Sequence, residues 1–291
     1  SLKKLLNLFL KKTKLKKKSN LSKTVLVVAG SDPSGGAGIQ ADLKTLTSFG
    51  VYGMTAITAL TEQNTKGVSD IFEIPINFVV KQIKCCLLDI NTNAVKIGML
   101  HSPELISAVY EVLYKNKIVT NKNINIVLDP VMVAKGGHKL LKENAVDALK
   151  NFIKKAHPIV TPNIPEAEIL TGMKIKSLAD MKNVGKKIIK LGASHVVLKG
   201  GHMETSIMTD FLITPSEIHS IETSKILTRH THGTGCTMAS ALTACLAKSY
   251  DVKHSFKIAH NYVNNAIKTS PKFGAGNGPI NHCYNINEIT D

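Results

Sequence analysis

Short apolar runs alternate with longer amphipathic segments along most of this chain. TVLVVAG (24–30) is rich in β-branched residues and ends in glycine, and the stretch from 38 to 50 has the spacing of an amphipathic helix. The pattern repeats with a strand at 53–60 and a helix at 77–90. This alternation predicts an α/β fold, a three-layer α-β-α sandwich with a mostly parallel central sheet.

The same alternation continues toward the end of the chain. Further strands are predicted at 93–100, 124–132, 158–163 and 195–201, followed by two antiparallel strands, MTDFLIT and IHSIETSKI. Further helices are predicted at 102–116, 142–156, 165–172, 177–192, 236–247 and 251–270. No long linker or change of composition interrupts these elements, which indicates a single domain over residues 24–291.

The net charge of +16 is concentrated at the start of the chain. Residues 1–23 contain nine lysines and no acidic residue, and removing these nine leaves a charge of +7 for the rest. The chain has no tryptophan, and aromatic residues make up 5% of it. A nucleic-acid-binding module is therefore not expected in the domain, because such modules combine basic patches with aromatic stacking residues.

Three interpretations of the basic extension 1–23 stay open. It can be a solvated or partly helical tail, a targeting presequence, or a tether to a membrane surface or a nucleic acid. The absence of acidic residues favours targeting, whereas the absence of arginine argues against it. No apolar run is long enough for a transmembrane helix, and the five cysteines lack disulfide or metal-site spacing. We expect a cytoplasmic protein and leave organelle targeting open.

Polar or glycine-rich segments stand where the predicted strands end. They are GSDPSGGAG, TEQNT, GML, DPVM, TPNIPE, KGGH and HGTGC. The carboxyl ends of parallel strands meet at one edge of the sheet, and ligands of such folds bind there. The sequence therefore predicts a binding site assembled from these segments.

The loop SGGAG (34–38) matches neither a Walker A loop nor G-x-G-x-x-G, but its glycines let the backbone approach a ligand closely. Asp42 lies one turn into the helix that follows. Its carboxylate can accept a hydrogen bond from a ligand amine or hydroxyl. It can equally be an acid that the helix dipole favours at a helix start. The residues alone leave both roles open.

Asn163 and Glu166 stand three residues apart where a strand runs into a helix, so they share a face. An amide and a carboxylate can hold a hydrated Mg²⁺, or the pair can cap the helix start. Asp129 is a second carboxylate at the same sheet edge. Lys199 ends the apolar run HVVL, where it can neutralise phosphate or simply lie at the surface.

The segment HGTGCT (232–237) places two glycines and a cysteine at the start of a helix. Successive backbone N–H groups at such a start form an anion site, and they can stabilise charge on a transferring phosphoryl group. A helix start also lowers the pKa of a thiol. Cys236 can therefore be a nucleophile or a part of an anion hole.

Eight motifs in order carry a family resemblance. They are AGSDPSGGAGIQADLKT, TALTEQNT, KIGML, VLDPVM, TPNIPEAE, LKGGH, THGTGCT and GNGPINH. On these motifs, residues 24–282 resemble the hydroxymethylpyrimidine/phosphomethylpyrimidine kinases of thiamine biosynthesis, within the ribokinase superfamily. The resemblance implies a ribokinase-like fold and ATP-dependent phosphorylation of 4-amino-5-hydroxymethyl-2-methylpyrimidine and then of its monophosphate. It further implies ATP as co-substrate, Mg²⁺ and a homodimer.

The resemblance also implies roles for individual residues. Those expected around the aminopyrimidine are Gly30, Asp42, Gln63 and Met99, and Asp42 and Gln63 are expected to form hydrogen bonds with it. Those expected at ATP and its phosphates are Asn163, Glu166, Lys199 and Thr234, and those expected to hold Mg²⁺, through water, are Asp129 and Glu166. The expected catalytic residues are Lys199 and the anion-hole residues Gly233, Gly235 and Cys236.

Cys236 stands where many sugar kinases of the wider superfamily have a catalytic aspartate. We interpret it as a residue that orients the substrate hydroxyl or accepts its proton, without a covalent intermediate. Three alternatives differ from this interpretation. They are a pyridoxal or pyridoxamine kinase on the same scaffold, a non-catalytic binding protein, and a Cys-dependent acyl transferase or hydrolase. The last would use His230 or His232 as base, and the sequence shows no partner that would orient either.

Overall fold

The computed structural model describes residues 23–134, 137–142, 144–201 and 206–287. Residues 1–22 of the lysine-rich extension 1–23 lie outside these ranges, so its three interpretations stay predictions. No helix in the described ranges is both long enough and apolar enough to cross a membrane.

The described strands form one nine-stranded sheet in the order β3-β2-β1-β4-β5-β6-β7-β8-β9. Their bounds are β1 Thr24–Ser31, β2 Tyr52–Asn64, β3 Gly67–Glu73, β4 Ala94–Ile97, β5 Asn125–Leu128, β6 Ile159–Val160, β7 His195–Leu198, β8 Ile207–Ile213 and β9 Ile218–Ser224. Six neighbouring strands in the middle of the sheet run parallel to one another: β2, β1, β4, β5, β6 and β7. Strands β3 and β8 pair antiparallel at the two ends of this parallel core, and β9 extends β8.

Eight helices cover the sheet in the described part of the chain. Their bounds are α1 Gly38–Ser48, α2 Ile76–Asp89, α3 Pro103–Lys115, α4 Ala145–Ala156, α5 Ile164–Thr171, α6 Leu178–Lys190, α7 Thr234–Ala247 and α8 Val252–Lys268. The cap predicted for α3 is confirmed, since the Ser102 hydroxyl accepts a hydrogen bond from the Leu105 N–H at 3.3 Å and Pro103 follows it.

The strands send alternate side chains to the two faces of the sheet. Leu26, Val95 and Leu128 pack on one face, together with buried residues of α2 to α6. Val25 and Val127 pack on the other face, together with α1, α7 and α8. Helices on both faces of a mostly parallel sheet confirm the predicted three-layer sandwich.

Strand β3 is an element that the sequence analysis missed. Its pattern, GVSDIFE, has no buried residue, so it lacks the apolar alternation that marks a half-buried strand. It pairs with the end of β2, which runs to Asn64 instead of ending at residue 60 as predicted. The longer β2 carries Thr61 and Gln63 beyond the parallel core, and both side chains line a cavity at this edge of the sheet.

Candidate active site

A cavity of about 370 Å³ lies at the carboxyl ends of the parallel strands. It is built from the loops after β1, β4, β5, β6 and β7, the end of β2 and the start of α7. The predicted site residues in its wall are Gly30, Gln63, Met99, Asp129, Asn163, Glu166, Lys199, Gly233, Thr234, Gly235 and Cys236. The fold therefore brings segments that are far apart in the chain to one edge of the sheet, as expected for parallel strands.

Asp42 is the predicted site residue that does not line this cavity. Its side chain is fully buried, and it accepts hydrogen bonds from Lys96 Nζ at 2.9 Å and from Ser240 Oγ at 2.6 Å. Each carboxylate oxygen therefore has an internal partner. The expected direct contact between Asp42 and the substrate is not supported, because its oxygens face β4 and α7 instead of the cavity.

Lys96 is a cavity residue that the sequence analysis missed. It lies in β4, opposite Val27 of β1, and its side chain is fully buried while it contributes to the cavity wall. Burial alone would lower the pKa of Lys96, but the charge and hydrogen bond of Asp42, together with other nearby groups such as Asp129, outweigh this effect and raise that pKa, so the amine stays charged. A lysine within the short apolar run AVKI is the feature of the sequence that could have indicated this residue. In the structure all four positions of that strand are buried.

Cys236 lies in the first turn of α7, close to Lys96. Burial raises the pKa of the Cys236 thiol to about 12, although the positive charge of Lys96 opposes this shift. The Gly38 N–H donates a hydrogen bond to its sulfur. The expected lowering of this pKa at the helix start is not seen, because desolvation of the thiolate is the largest effect and outweighs the nearby amine.

The start of α7 faces the charged part of the cavity. Gly233 has a φ of +82°, and a Cβ there would collide with the Gly36 carbonyl oxygen. A Cβ on Gly235 would lie 3.3 Å from Lys199 Nζ and 3.7 Å from Asp129 Oδ2. The first N–H groups of a helix have no acceptor within it. The absence of side chains therefore lets these donors approach the same space as Lys199.

Asn163 and Glu166 form a capping box at the start of α5. The Asn163 Oδ1 accepts from the Glu166 N–H at 2.9 Å, and Glu166 Oε2 accepts from the Asn163 N–H at 2.8 Å. The capping interpretation is thus confirmed. Both residues also line the cavity, so capping places the amide and the carboxylate at its edge.

Two carboxylates and one ammonium meet beside this box. Lys199 Nζ lies 3.3 Å from Asp129 Oδ1, and Thr161 Oγ1 donates to the same oxygen at 3.3 Å. Burial raises the pKa of Glu166 to about 7; the charge of Lys199 lowers it, and that of Asp129 raises it. Two carboxylates that interact across a cavity wall have the hard oxygen donors that Mg²⁺ prefers.

The donor set suits a cation that keeps most of its own water. The described residues contain no group of three or more His, Cys, Asp or Glu side chains that could hold a metal ion directly. A magnesium ion with one or two protein carboxylates, waters and phosphate oxygens fits such a set. Asp129 and Glu166 therefore suit a metal that arrives with a nucleotide.

The raised pKa of Glu166 has a consequence for stability. Between about pH 4.5 and about pH 7 the folded state holds a proton that the unfolded state has released, so stability falls as the pH rises through this window. We expect Glu166 to contribute about 1–3 kcal/mol to this fall. Glu166→Gln keeps the cap acceptor but cannot ionise. Urea unfolding of both ligand-free proteins at pH 5 and pH 7.5 should show a smaller pH dependence in the variant. Equal pH dependence in both would contradict the assignment.

His232 has an orienting partner that the sequence analysis did not identify. Its Nε2 lies 2.8 Å from Asp32 Oδ2, and both side chains are buried in the cavity wall. The two residues are 200 positions apart in the chain, which is why no local pattern revealed the pair. The same Nε2 lies 3.3 Å from Gln63 Nε2.

Comparison with known proteins places the chain among the small-molecule kinases. The sequence profile of the family described as phosphomethylpyrimidine kinase matches residues 32–281. The chain belongs to this family. A hydroxymethylpyrimidine/phosphomethylpyrimidine kinase of Bacillus subtilis (strain 168) is 44% identical over 258 residues, which cover 88% of this chain and 93% of the relative.

Solved structures of related kinases share the fold of this member of the phosphomethylpyrimidine kinase family. A phosphomethylpyrimidine kinase from Clostridium difficile 630 has a TM-score of 0.73 at 42% identity, covering 84% of this chain and 100% of that one. The ADP complex of a pyridoxal kinase from Bacillus subtilis has a TM-score of 0.82 at 36% identity, covering 90% and 97%. The predicted ribokinase-like kinase fold and the predicted family are both confirmed.

Proposed function

We propose that the cavity at the carboxyl edge of the sheet is where this kinase transfers phosphate. The chain is a hydroxymethylpyrimidine/phosphomethylpyrimidine kinase of thiamine biosynthesis, with ATP as co-substrate. We infer the roles of individual residues from the arrangement of this cavity. Lys199, the carboxylates and the start of α7 meet at one end, and Gln63, Gly30 and Met99 line the same cavity from β2, β1 and the loop after β4.

Gly30, Gln63 and Met99 form a part of the cavity that suits a flat heterocycle. A Cβ on Gly30 would lie 3.0 Å from Met99 Sδ, so glycine there keeps a gap between the β1 end and the methionine. Gln63 supplies a side-chain amide, which presents a hydrogen-bond donor and an acceptor in one plane. We assign Gly30, Gln63 and Met99 to binding the pyrimidine and give Asp42 the indirect role of holding Lys96.

The end of the cavity that contains Lys199 suits phosphate groups. Lys199 carries its charge to the cavity because Asp129 and Glu166 counter the effect of burial, which alone would lower its pKa. The N–H groups at Gly233 to Cys236 are donors at a helix start, and Asn163 lines the same cavity. Phosphoryl transfer depends mainly on positioning and on neutralising charge on the transferred group. Mg²⁺, held by Asp129 and Glu166 through water, would supply part of that neutralisation.

We assign Cys236 an orienting role toward the substrate hydroxyl. Because burial raises its pKa to about 12, the thiol is protonated near pH 8. A neutral thiol can donate a weak hydrogen bond and shape the pocket, but it is a poor proton acceptor. A loose phosphoryl-transfer transition state does not require a strong base.

We therefore expect Cys236→Ala to lower kcat by less than about 10-fold, because loss of a general base typically costs 10²–10⁴. The pH dependence of kcat between pH 6 and 9 should keep its shape. Cys245→Ala is the matched control, since Cys245 is buried in the same helix and does not line the cavity. A loss above 100-fold in Cys236→Ala, restored by Cys236→Asp, would show that the thiol takes the proton.

A coupled assay of ADP formation tests the proposed function. Hydroxymethylpyrimidine, its monophosphate and pyridoxal are compared as substrates, with Mg²⁺ present and after its removal by chelation. We expect the highest kcat/KM with the pyrimidines and loss of activity without Mg²⁺. Pyridoxal is included because several structural neighbours are named pyridoxal kinases. A higher kcat/KM for pyridoxal than for either pyrimidine would reverse the substrate assignment.

We also propose that the protein is a homodimer. Leu60 and Phe72 lie opposite each other in the β2–β3 hairpin at one end of the sheet, and both are exposed. Exposed apolar side chains that cluster at a sheet edge favour association. Sedimentation equilibrium of the wild-type protein and of Phe72→Glu would test this assignment, with a dimer expected for the first and a monomer for the second.

A further inference from the structure

A buried carboxylate outside the cavity contacts the backbone next to Lys199. Asp210 in β8 is 3% exposed, and His260 in α8 is 2% exposed. Asp210 Oδ1 accepts a hydrogen bond from the Gly200 N–H at 2.7 Å, and Asp210 Oδ2 lies 3.0 Å from His260 Nδ1. Neither side chain lines the cavity, so any effect of this pair on the reaction must pass through the residues that it holds.

The Asp210 carboxylate provides an acceptor beyond the last paired residues of β7 and β8. These strands pair antiparallel as far as Leu198 opposite Phe211, and β7 ends there. The two chains stay close beyond this pair, because a Cβ on Gly200 would lie 2.1 Å from the Thr209 carbonyl oxygen. Gly200 is buried, so its N–H needs a partner within the protein, and an ionised carboxylate is a stronger acceptor than a neutral group.

The Gly200 N–H belongs to the same planar peptide unit as the Lys199 carbonyl group. A hydrogen bond at this N–H therefore holds the backbone on one side of the Lys199 Cα. The Lys199 N–H donates to the Pro162 carbonyl oxygen at 3.0 Å, which holds the backbone on the other side. With both flanking peptides held, the Lys199 side chain extends from a fixed point, and its ammonium lies 3.3 Å from Asp129 Oδ1 in the cavity wall.

We propose that Asp210 and His260 are a positioning pair, which holds the Gly200 peptide and thereby fixes the Lys199 ammonium where it meets the phosphate groups. The proposal rests on the proposed function, because that function assigns Lys199 to the phosphates. A lysine ammonium sits on a flexible four-carbon chain, so its place depends on how firmly the backbone is held. A displacement of about 1 Å in a reacting group can lower the rate about 100-fold.

His260 holds the Asp210 carboxylate from the side of α8. A carboxylate oxygen accepts, so the 3.0 Å contact places a hydrogen on His260 Nδ1. The other ring nitrogen, Nε2, is buried and has no hydrogen-bond partner among the described residues. The polar contact of this imidazole is therefore its contact with Asp210, as expected for a residue that orients a carboxylate.

The first experiment compares Asp210→Leu with Asp210→Asn by steady-state kinetics at varied ATP and varied pyrimidine. Leucine has a similar size and removes the acceptor without leaving a buried charge in its place. We expect kcat/KM for ATP to fall about 10- to 100-fold, with a smaller change in KM for the pyrimidine. Asparagine keeps an acceptor for Gly200, and its amide can donate to His260 Nδ1 when the imidazole hydrogen is on Nε2. We expect this variant to stay within about 3-fold of the wild type.

A double variant distinguishes positioning from general destabilisation. If Asp210 acts through the Lys199 ammonium, Asp210→Leu should change kcat/KM by less than about 3-fold in the Lys199→Met background. A merely structural role would give the same loss in both backgrounds. Thr92→Val is the matched control and should keep the wild-type kcat/KM. Thr92 is 4% exposed and also accepts from a backbone N–H, that of Leu26 at 3.1 Å, but it precedes β4 at the opposite edge of the sheet.

The outcomes separate this proposal from the proposed function. If the wild-type enzyme does not phosphorylate the pyrimidines, or if folded Lys199→Met keeps the wild-type kcat, the proposed function or its assignment of Lys199 fails, and the proposal fails with it. If Lys199→Met loses activity while folded Asp210→Leu keeps wild-type kinetics, or if the two losses multiply in the double variant, the positioning role alone is overturned. Asp210→Leu leaves the Gly200 N–H buried without an acceptor, and this can prevent folding. Asp210→Ala then provides the test, because the smaller side chain leaves space for water at this N–H; an unchanged KM for ATP would overturn the proposal.

Discussion

Replacing Lys199 with methionine is expected to lower kcat/KM by about 100- to 1,000-fold, the loss typical of removing one donor that stabilises transition-state charge. The Lys199 side chain is 15% exposed, and its ammonium lies 3.3 Å from Asp129 beside the start of α7. Methionine has a similar length and leaves the packing of the carbon chain largely unchanged. Without the ammonium, Asp129 faces the phosphate groups uncompensated, which repels the nucleotide and the developing charge alike.

Steady-state kinetics at varied ATP and varied pyrimidine would measure this loss. We expect a lower kcat and a higher KM for ATP, with a smaller change in KM for the pyrimidine. Lys174→Met is the matched control, because Lys174 pairs with Glu168 at 2.9 Å but its side chain is 79% exposed. Such surface pairs contribute little, so the control should keep wild-type kinetics. Near-wild-type kcat in a folded Lys199→Met protein would exclude Lys199 from phosphate transfer.

Replacing Lys96 with methionine is expected to lower the free energy of unfolding by about 3–5 kcal/mol, the range measured when one partner of a buried ion pair is removed. Lys96 and Asp42 are both fully buried, and their atoms are 2.9 Å apart. The variant leaves Asp42 with Ser240 as its remaining hydrogen-bond donor at 2.6 Å. Burial already raises the pKa of Asp42, and removing the Lys96 charge raises it further, so the acid becomes protonated in the folded state.

Urea denaturation gives this free energy from the midpoint and the slope. Lys150→Met is the control, since its partner Asp147 is 93% exposed and the pair should be worth less than about 1 kcal/mol. The double variant Lys96→Met with Asp42→Leu should recover part of the loss, because apolar groups can replace a buried pair at little cost. A single variant as stable as the control would mean that the pair does not stabilise the fold. Because Lys96 also lines the cavity, kinetics of the double variant would report its separate effect on catalysis.

Most of the fold was predictable because burial leaves a periodic trace in the sequence. The helices α3 and α6 present apolar residues at helical spacing and begin at serine caps, and both were predicted within one or two residues of their bounds. Strand β3 left no such trace, since an edge strand in a hairpin gains its stability from backbone pairing with β2 and needs no buried side chain. The same reason explains why the end of β2 was placed too early.

The sequence was sufficient to predict which chain segments form the site. Parallel strands bring their carboxyl ends to one edge, so loops such as the one that starts at Asp129 and the one that contains Lys199 had to meet. Local spacing also indicated the capping box at Asn163 and Glu166, because a cap involves residues three apart. What local spacing could not decide is the direction of a side chain that contacts another element, as Asp42 shows.

The sequence by itself determined the alternation of strands and helices, the sheet edge at which the site lies, the family and hence the reaction, because these follow from periodic patterns and from motifs in order. Only the tertiary structure decided the state of individual groups. It raised the pKa of the Cys236 thiol through desolvation, paired Asp42 with Lys96, and brought Asp32 to His232 across 200 residues. Desolvation and charge pairing depend on distances in space, and the order of residues along the chain does not contain those distances.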